Sequence, residues 1–205
     1  MWTQLKNNYS ITDQQFEQFQ KYLTFLLQEN EKYNLTAIVE TDAVILDHFQ
    51  DSLALIKDCA MPAIEKIIDV GSGGGFPGIP LAIVLPHVQF CLIEVNLKKV
   101  HFLNLVIEHL QLKNVTVCTL DWRTFLRSAL VQQWNNNVLV VARASLPVEE
   151  LLRMFRPSSQ LNHATLVYWA SKKWLPSVQE KEYLDHCNAY SVGHKERQLC
   201  YFKRK

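Results

Sequence analysis

Apolar residues recur at helical spacing along the first part of the chain. Phe16, Phe19, Leu23, Leu26 and Leu27 share one face behind Thr12-Asp13-Gln14-Gln15. That tetrad reads as a capping box, with Thr12 as N-cap and Gln15 at the third helical position. A second stripe runs from Thr41 through Val44, Ile45, His48, Phe49, Ser52, Leu53 and Ile56, and Met61-Pro62 stops it. From Glu65 onward the pattern changes to short β-branched runs alternating with helical stretches, which predicts a parallel sheet flanked by helices. Strands are expected at Lys66–Val70, Val88–Ile93, Val115–Leu120, Val138–Ala142 and Thr165–Trp169. Helices are expected near Ile79–Leu85, Lys98–Leu110, Thr124–Gln132 and Pro147–Met154, with Trp134-Asn135-Asn136-Asn137 as a turn. Two further strands, Ala189–His194 and Gln198–Lys203, are joined by so short a link that they must pair antiparallel. The division that follows is an N-terminal helical appendage (residues 1–60) and one compact α/β unit (61–205).

The most informative segment is Ile67-Ile68-Asp69-Val70-Gly71-Ser72-Gly73-Gly74-Gly75-Phe76-Pro77-Gly78. A buried strand ends in glycines whose backbone can turn sharply and admit a ligand. The apolar stretch from Ile79 can begin a helix whose first N–H groups face that ligand. This is the opening unit of a nucleotide-binding sheet, with its site at the strand's carboxyl end. The glycines fit two registers. Gly73, Gly75 and Gly78 satisfy the dinucleotide fingerprint G-x-G-x-x-G, whereas Gly71, Gly73 and Gly75 satisfy the G-x-G-x-G loop of S-adenosylmethionine methyltransferases. Position favours the second, because the strand ends at Val70 and Gly71 is the first turn residue. Pro77 would also remove a donor from a pyrophosphate loop. Asp69, at the strand end, suits a cationic amino group on the ligand. Glu94 closes the second strand about twenty residues on, where a carboxylate can accept from ribose hydroxyls. An antiparallel final strand then marks a Rossmann-like S-adenosylmethionine methyltransferase fold, and the chain leaves no room for the second βαβαβ half of a dehydrogenase.

Composition narrows the classes further. The 205 residues suffice for one α/β domain with a short appendage. Met1-Trp2-Thr3-Gln4 lacks a basic and then apolar lead, so no secretory signal is expected. No apolar run approaches the ~20 residues that span a bilayer. Five cysteines without C-x-x-C spacing, among them Cys91, Cys118 and Cys200, read as reduced core residues of a cytoplasmic protein. Seven histidines show no metal-ligand spacing, so no metal is expected. The net charge of +1 is low for an RNA binder, yet Lys98-Lys99, Lys172-Lys173 and Lys195, Arg197, Lys203-Arg204-Lys205 form basic clusters able to meet phosphate.

Val70-Gly-Ser-Gly-Gly-Gly-Phe-Pro-Gly-Ile-Pro-Leu-Ala82 is similar to the glycine loop of the bacterial small-subunit (16S) rRNA guanine-N7 methyltransferases, also called glucose-inhibited division protein B, and the chain resembles that family. Upstream, Tyr33-Asn34-Leu35-Thr36-Ala37-Ile38 and His48-Phe-Gln-Asp51-Ser52-Leu53 resemble its asparagine-leucine-threonine and histidine-to-aspartate-serine-leucine signatures. Downstream, Lys98-Lys99-Val-x-Phe102-Leu103, Leu112-Lys-Asn-Val115 and Ala142-Arg143-Ala144 follow in the same order. The resemblance covers about residues 15 to 160.

It implies S-adenosyl-L-methionine as cofactor and small-subunit rRNA, or a ribosomal particle, as partner of a monomer. Gly71, Gly73, Gly75 and Phe76 would meet the cofactor, Glu94 its ribose, and Trp122 and Arg123 its adenine, with Asp121 as a possible acceptor for the adenine amino group. Arg143 would be the catalytic residue on the substrate side, its planar fork suiting guanine or phosphate, and would also belong to the cofactor-binding set. His48, Asp51 and Ser52, on one helical face, would close over the cofactor. Methylating guanine N7 removes no proton, so orientation is the main requirement. Two departures qualify the resemblance. Trp122-Arg123 stands where the family shows a small residue and glutamate. Tyr168-Trp169-Ala170-Ser171-Lys172 replaces alanine-leucine-lysine-glycine, with Lys172 shifted by one. The rivals are a methyltransferase acting on another RNA or a small molecule, and a non-catalytic RNA- or ribosome-binding module.

Overall fold

The computed structural model describes residues 1–58, 64–134 and 137–205. The expected stop at Met61-Pro62, the boundary at residues 60–61 and the two middle residues of the Trp134–Asn137 turn lie outside the described residues.

Seven strands form one sheet: β1 (Lys66–Val70), β2 (Gln89–Ile93), β3 (Val115–Cys118), β4 (Val138–Arg143), β5 (Thr165–Ser171), β6 (Leu184–Val192) and β7 (Lys195–Phe202). Their order is β3-β2-β1-β4-β5-β7-β6. The first five are parallel, and β7 runs antiparallel between β5 and β6. The sheet therefore has the reversed strand predicted from the short link, although β6 begins earlier than Ala189 and β3 stops before Leu120.

Period-two alternation assigns each strand's residues to one of two cores. Ile67, Leu139, Val141 and Val167 belong to the core shared with the N-terminal helices α1 (Trp2–Asn8) and α2 (Asp13–Tyr33). Ile68, Val70, Val140 and Ala142 face the other side, under α7 (Trp122–Phe125) and α8 (Val148–Leu151). Phe19, Tyr22 and Leu26 of α2 are fully buried in the first core. The capping box at Thr12 and Gln15 is present.

The second N-terminal stripe is not one regular helix. It runs as α3 (Thr41–Val44), a π-helical turn (Ile45–Gln50), α4 (Asp51–Leu53) and a 3₁₀ turn (Ala54–Lys57). α5 (Gly78–Val84) and α6 (Leu97–His109) follow β1 and β2. The helix expected at Thr124–Gln132 is broken. Asp121 caps it two residues earlier, and Ser128 turns its hydroxyl onto the Phe125 carbonyl, with a 3₁₀ turn at Ala129–Trp134. The helix expected at Pro147–Met154 is likewise α8 followed by a 3₁₀ turn at Leu152–Phe155. A further helix, α9 (Val178–Tyr183), precedes β6.

The cysteine expectation needs correction. Cys187 and Cys200 stand directly opposite each other on β6 and β7, with Cα atoms 4.2 Å apart, and are joined as a disulfide. Sequence spacing cannot reveal such a pair, because strand register creates it. Cys91 and Cys118 are free and buried. No helix among the described residues is long and apolar enough to cross a membrane, and none of their His, Cys, Asp and Glu side chains form a group able to hold a metal ion.

Candidate active site

β1 ends at Val70, and the chain then makes three left-handed steps, at Gly71 (φ +72°), Gly73 (φ +58°) and Gly75 (φ +95°). These are the G-x-G-x-G positions, and each needs a residue without Cβ. Their surroundings differ. A Cβ on Gly71 would lie 2.3 Å from the Ser145 Cβ. One on Gly75 would meet Ile79 Cγ1 and the Tyr22 hydroxyl, both at 2.7 Å. One on Gly78, the first residue of α5, would strike Leu92 Cδ2 at 2.3 Å and Asp69 Oδ2 at 2.7 Å. Only Gly73 faces space, its nearest neighbours standing at 3.9 Å and 4.0 Å.

That space is a cavity of about 310 Å³ at the carboxyl ends of β1, β2 and β4. Gly71, Gly73, Glu94, Asp121, Trp122 and Ser145 are among the residues that wall it. Glu94 is buried and accepts from three backbone N–H groups. Its Oε2 accepts from the Gly73 N–H (2.9 Å), and its Oε1 accepts from Val95 (2.9 Å) and Asn96 (2.8 Å). It thus clamps the glycine loop to the end of β2, while a lone pair on Oε2 stays open. Asn96 continues the line by capping α6.

Trp122 is a buried wall of the cavity. It stacks on Phe125 at 6.0 Å, and its indole N–H donates to the Glu150 carbonyl (3.1 Å). Asp121 caps α7, and hydrogen bonds from Thr124 hold its carboxyl below the usual range. Arg123 turns away and forms a bidentate pair with Glu150, both bonds 2.7 Å. Gly75, Phe76 and Arg143 do not wall the cavity. They belong to the adjoining layer.

There the widely separated signature residues meet. Asp51 is fully buried and accepts from Arg143 Nη1 (2.8 Å) and the Tyr190 hydroxyl (2.7 Å), with Arg197 Nε at 3.1 Å. The Trp169 indole N–H reaches its carbonyl (2.8 Å). Arg143 also donates to the Asp47 carbonyl (3.2 Å) and lies 3.1 Å from His48 Nδ1. A guanidinium can only donate, so His48 Nδ1 must be unprotonated and its Nε2–H donates to Thr36 Oγ1 (2.8 Å). Burial, reinforced by the Arg143 charge, pushes the His48 pKa down to about 3. Phe76 packs between Tyr22 (5.5 Å) and His48 (4.3 Å), under Arg143. Ser52 donates to the His48 carbonyl (2.6 Å).

Asp69 is fully buried, with Oδ2 accepting from the Gly78 N–H (2.9 Å) and Oδ1 without a partner among the described residues. Burial raises its pKa to about 7. It supports the start of α5 and is not among the cavity walls. Sequence reasoning missed Tyr190, Arg197 and Ser145. None carries a local motif, and only strand register and the turn after β4 bring them in.

A glycine loop open to a cavity at the carboxyl edge of a sheet with one reversed strand defines a Rossmann-like α/β protein of the methyltransferase type. The family model for rRNA small subunit methyltransferase G matches residues 15–200, and the chain belongs to that family. The ribosomal RNA small subunit methyltransferase G of Caldanaerobacter subterraneus subsp. tengcongensis is 44% identical over 119 residues, which are 57% of this chain and 50% of that protein. That of Lachnoclostridium phytofermentans is 34% identical over 177 residues, 86% of this chain and 72% of its own. The chain spans about half the length of several curated relatives it matches. Among solved structures, a mutant of MtNAS in complex with S-adenosylmethionine superposes with a TM-score of 0.58 at 12% identity, over 100% of this chain and 84% of that one, a likeness of fold.

Proposed function

We propose that this chain is an S-adenosylmethionine-dependent methyltransferase acting on N7 of a guanine in 16S rRNA, working in the cytoplasm as a monomer. The observation that carries the reading is the cavity before Gly73. Of the three left-handed loop glycines it is the one whose missing Cβ leaves room, and it stands beside a buried carboxylate in a chain of this family. The residues fit the cofactor. The open lone pair of Glu94 suits a ribose hydroxyl, the backbone at Gly71 and Gly73 permits close approach, and the Trp122 edge and Asp121 stand at the adenine end. S-adenosylmethionine supplies an electrophilic methyl group on a sulfonium. The protein's own work is to hold and orient, because guanine N7 presents an unprotonated lone pair and no base need remove a proton. Arg143 serves, in this reading, as a positioning residue: through Phe76 and Asp51 it fixes the N-terminal layer against the loop.

Calorimetric titration with S-adenosylmethionine and with NAD tests the reading. The wild type should bind the former and not the latter. Glu94→Gln removes charge from hydrogen bonds worth about 1.5–3 kcal/mol each and should weaken binding roughly tenfold or more. Preference for NAD, or an unchanged Kd in the variant, would count against it.

A further inference from the structure

Beside the cofactor cavity, on the α7–α8 face of the sheet, four arginines surround a second cavity of about 280 Å³: Arg123 and Arg127 from α7 and just beyond it, Arg153 and Arg156 from the turn after α8. Ser158 and Ser159 complete its polar wall, and among the described residues no carboxylate lines it. Among the described residues the acid that meets these side chains is Glu150, which takes two bonds from Arg123 (both 2.7 Å) and two from Arg153 (2.8 and 3.1 Å). Among the described residues one hydrogen-bonded carboxylate therefore answers four guanidiniums, with the Asp121 charge acting on Arg123 from a distance. A guanidinium has five N–H donors, so Arg123 and Arg153 each keep three. Among the described residues Arg127 commits only its Nε, to the Arg123 carbonyl (3.1 Å). Among the described residues Arg156 has no side-chain partner. The Ser159 hydroxyl accepts from Leu161 and retains its proton to donate.

Planar forks with spare donors, a surplus of charge and free hydroxyls match phosphate oxygens in pairs. Two features favour the phosphates of a strand over a free ion. The Arg123 side chain is 55% exposed and that of Arg153 29%, which leaves the groove open along the surface. Trp122, a wall of the cofactor cavity, is followed directly by Arg123, a wall of this one, so the two sites adjoin. Resting on the rRNA reading above, we propose that this arginine groove seats backbone phosphates of the RNA substrate and holds the strand while its target base lies at the cofactor cavity.

The test compares the wild-type chain with Arg127→Glu/Arg156→Glu. Binding to unmethylated 16S rRNA is measured by filter retention over a series of potassium chloride concentrations, alongside S-adenosylmethionine affinity. Each lost phosphate contact should lower the slope of log Kd against log salt by about 0.7–0.9. The double variant should therefore bind rRNA at least tenfold more weakly, with a slope reduced by about one to two, while its cofactor Kd stays within about twofold. Arg127→Gln/Arg156→Gln, which adds no repulsion, should show the same slope change if the glutamates disturb folding. A wild-type slope and rRNA affinity in a folded variant would overturn the inference. So would competition of wild-type rRNA binding by millimolar inorganic phosphate alone, which would mark a small-anion site. If the wild type itself neither binds nor methylates rRNA, the functional reading fails and the inference falls with it.

Discussion

Two glycines five residues apart, Gly73 and Gly78, illustrate how one residue type serves two ends. Gly73 points at open space and Gly78 at Leu92 and Asp69. Gly73→Val should therefore abolish S-adenosylmethionine binding, because its side chain would fill the cavity. The left-handed φ adds a strain of about 1–2 kcal/mol, which a folded domain can absorb. Gly78→Ala should instead lower thermal stability, because its Cβ overlaps packed atoms at both neighbours. Calorimetry for binding and thermal melts for stability separate the two, and a reversed pattern would refute the assignment. Asp51 invites a sharper loss. Asp51→Asn leaves Arg143, whose side chain is only 10% exposed, and the half-buried Arg197 beside an uncharged group, and breaking a buried pair such as Arg143–Asp51 from one side is worth about 3–5 kcal/mol of destabilisation. A urea midpoint matching the wild type would remove Asp51 from its central place. His48, Asp51, Phe76 and Arg143 were all legible as signature residues, but not as partners of one another, since their contacts join positions nearly a hundred residues apart.

Among the elements, those with a strong local period were the most legible. β1 matches its expected bounds, and α2 begins where Thr12 and Gln15 form a box. α9 carried the same signal, Ser177-Val-Gln-Glu180, with both capping bonds made, yet its short apolar content hid it. The broken helix after β3 shows the opposite error: apolar spacing continued while Ser128 diverted the backbone. The β6–β7 hairpin was legible as a pair, whereas its reach into the site was not, because register alone brings Tyr190 to Asp51. Tyr190→Phe should test that link. It removes one hydrogen bond to a charged group, so stability should fall by about 1.5–3 kcal/mol with S-adenosylmethionine affinity unchanged. Equal stability of the variant in denaturant would show that the hairpin docks without it.

For the molecule as a whole, two buried groups give pH dependences of opposite sign. His48 has a pKa depressed from 6.5 to about 3, so the stability it contributes is present above 6.5 and is lost as pH falls through that window. Asp69 has a pKa raised from 3.8 to about 7, so its contribution is present at low pH and is lost as pH rises through about 7. His48→Gln should therefore flatten the loss of stability between pH 6.5 and pH 4 in urea titrations. An identical slope would mean that His48 is not held neutral. The central claim, that the loop cavity serves methyl transfer to rRNA, has a more direct test. The purified protein is incubated with methyl-labelled S-adenosylmethionine and small-subunit rRNA from cells lacking the gene, and the product is mapped by mass spectrometry. The expected result is a single label at N7 of a guanine in 16S rRNA, absent with Gly73→Val. Label at another atom or in another RNA, or no transfer by a wild type that binds the cofactor, would contradict it.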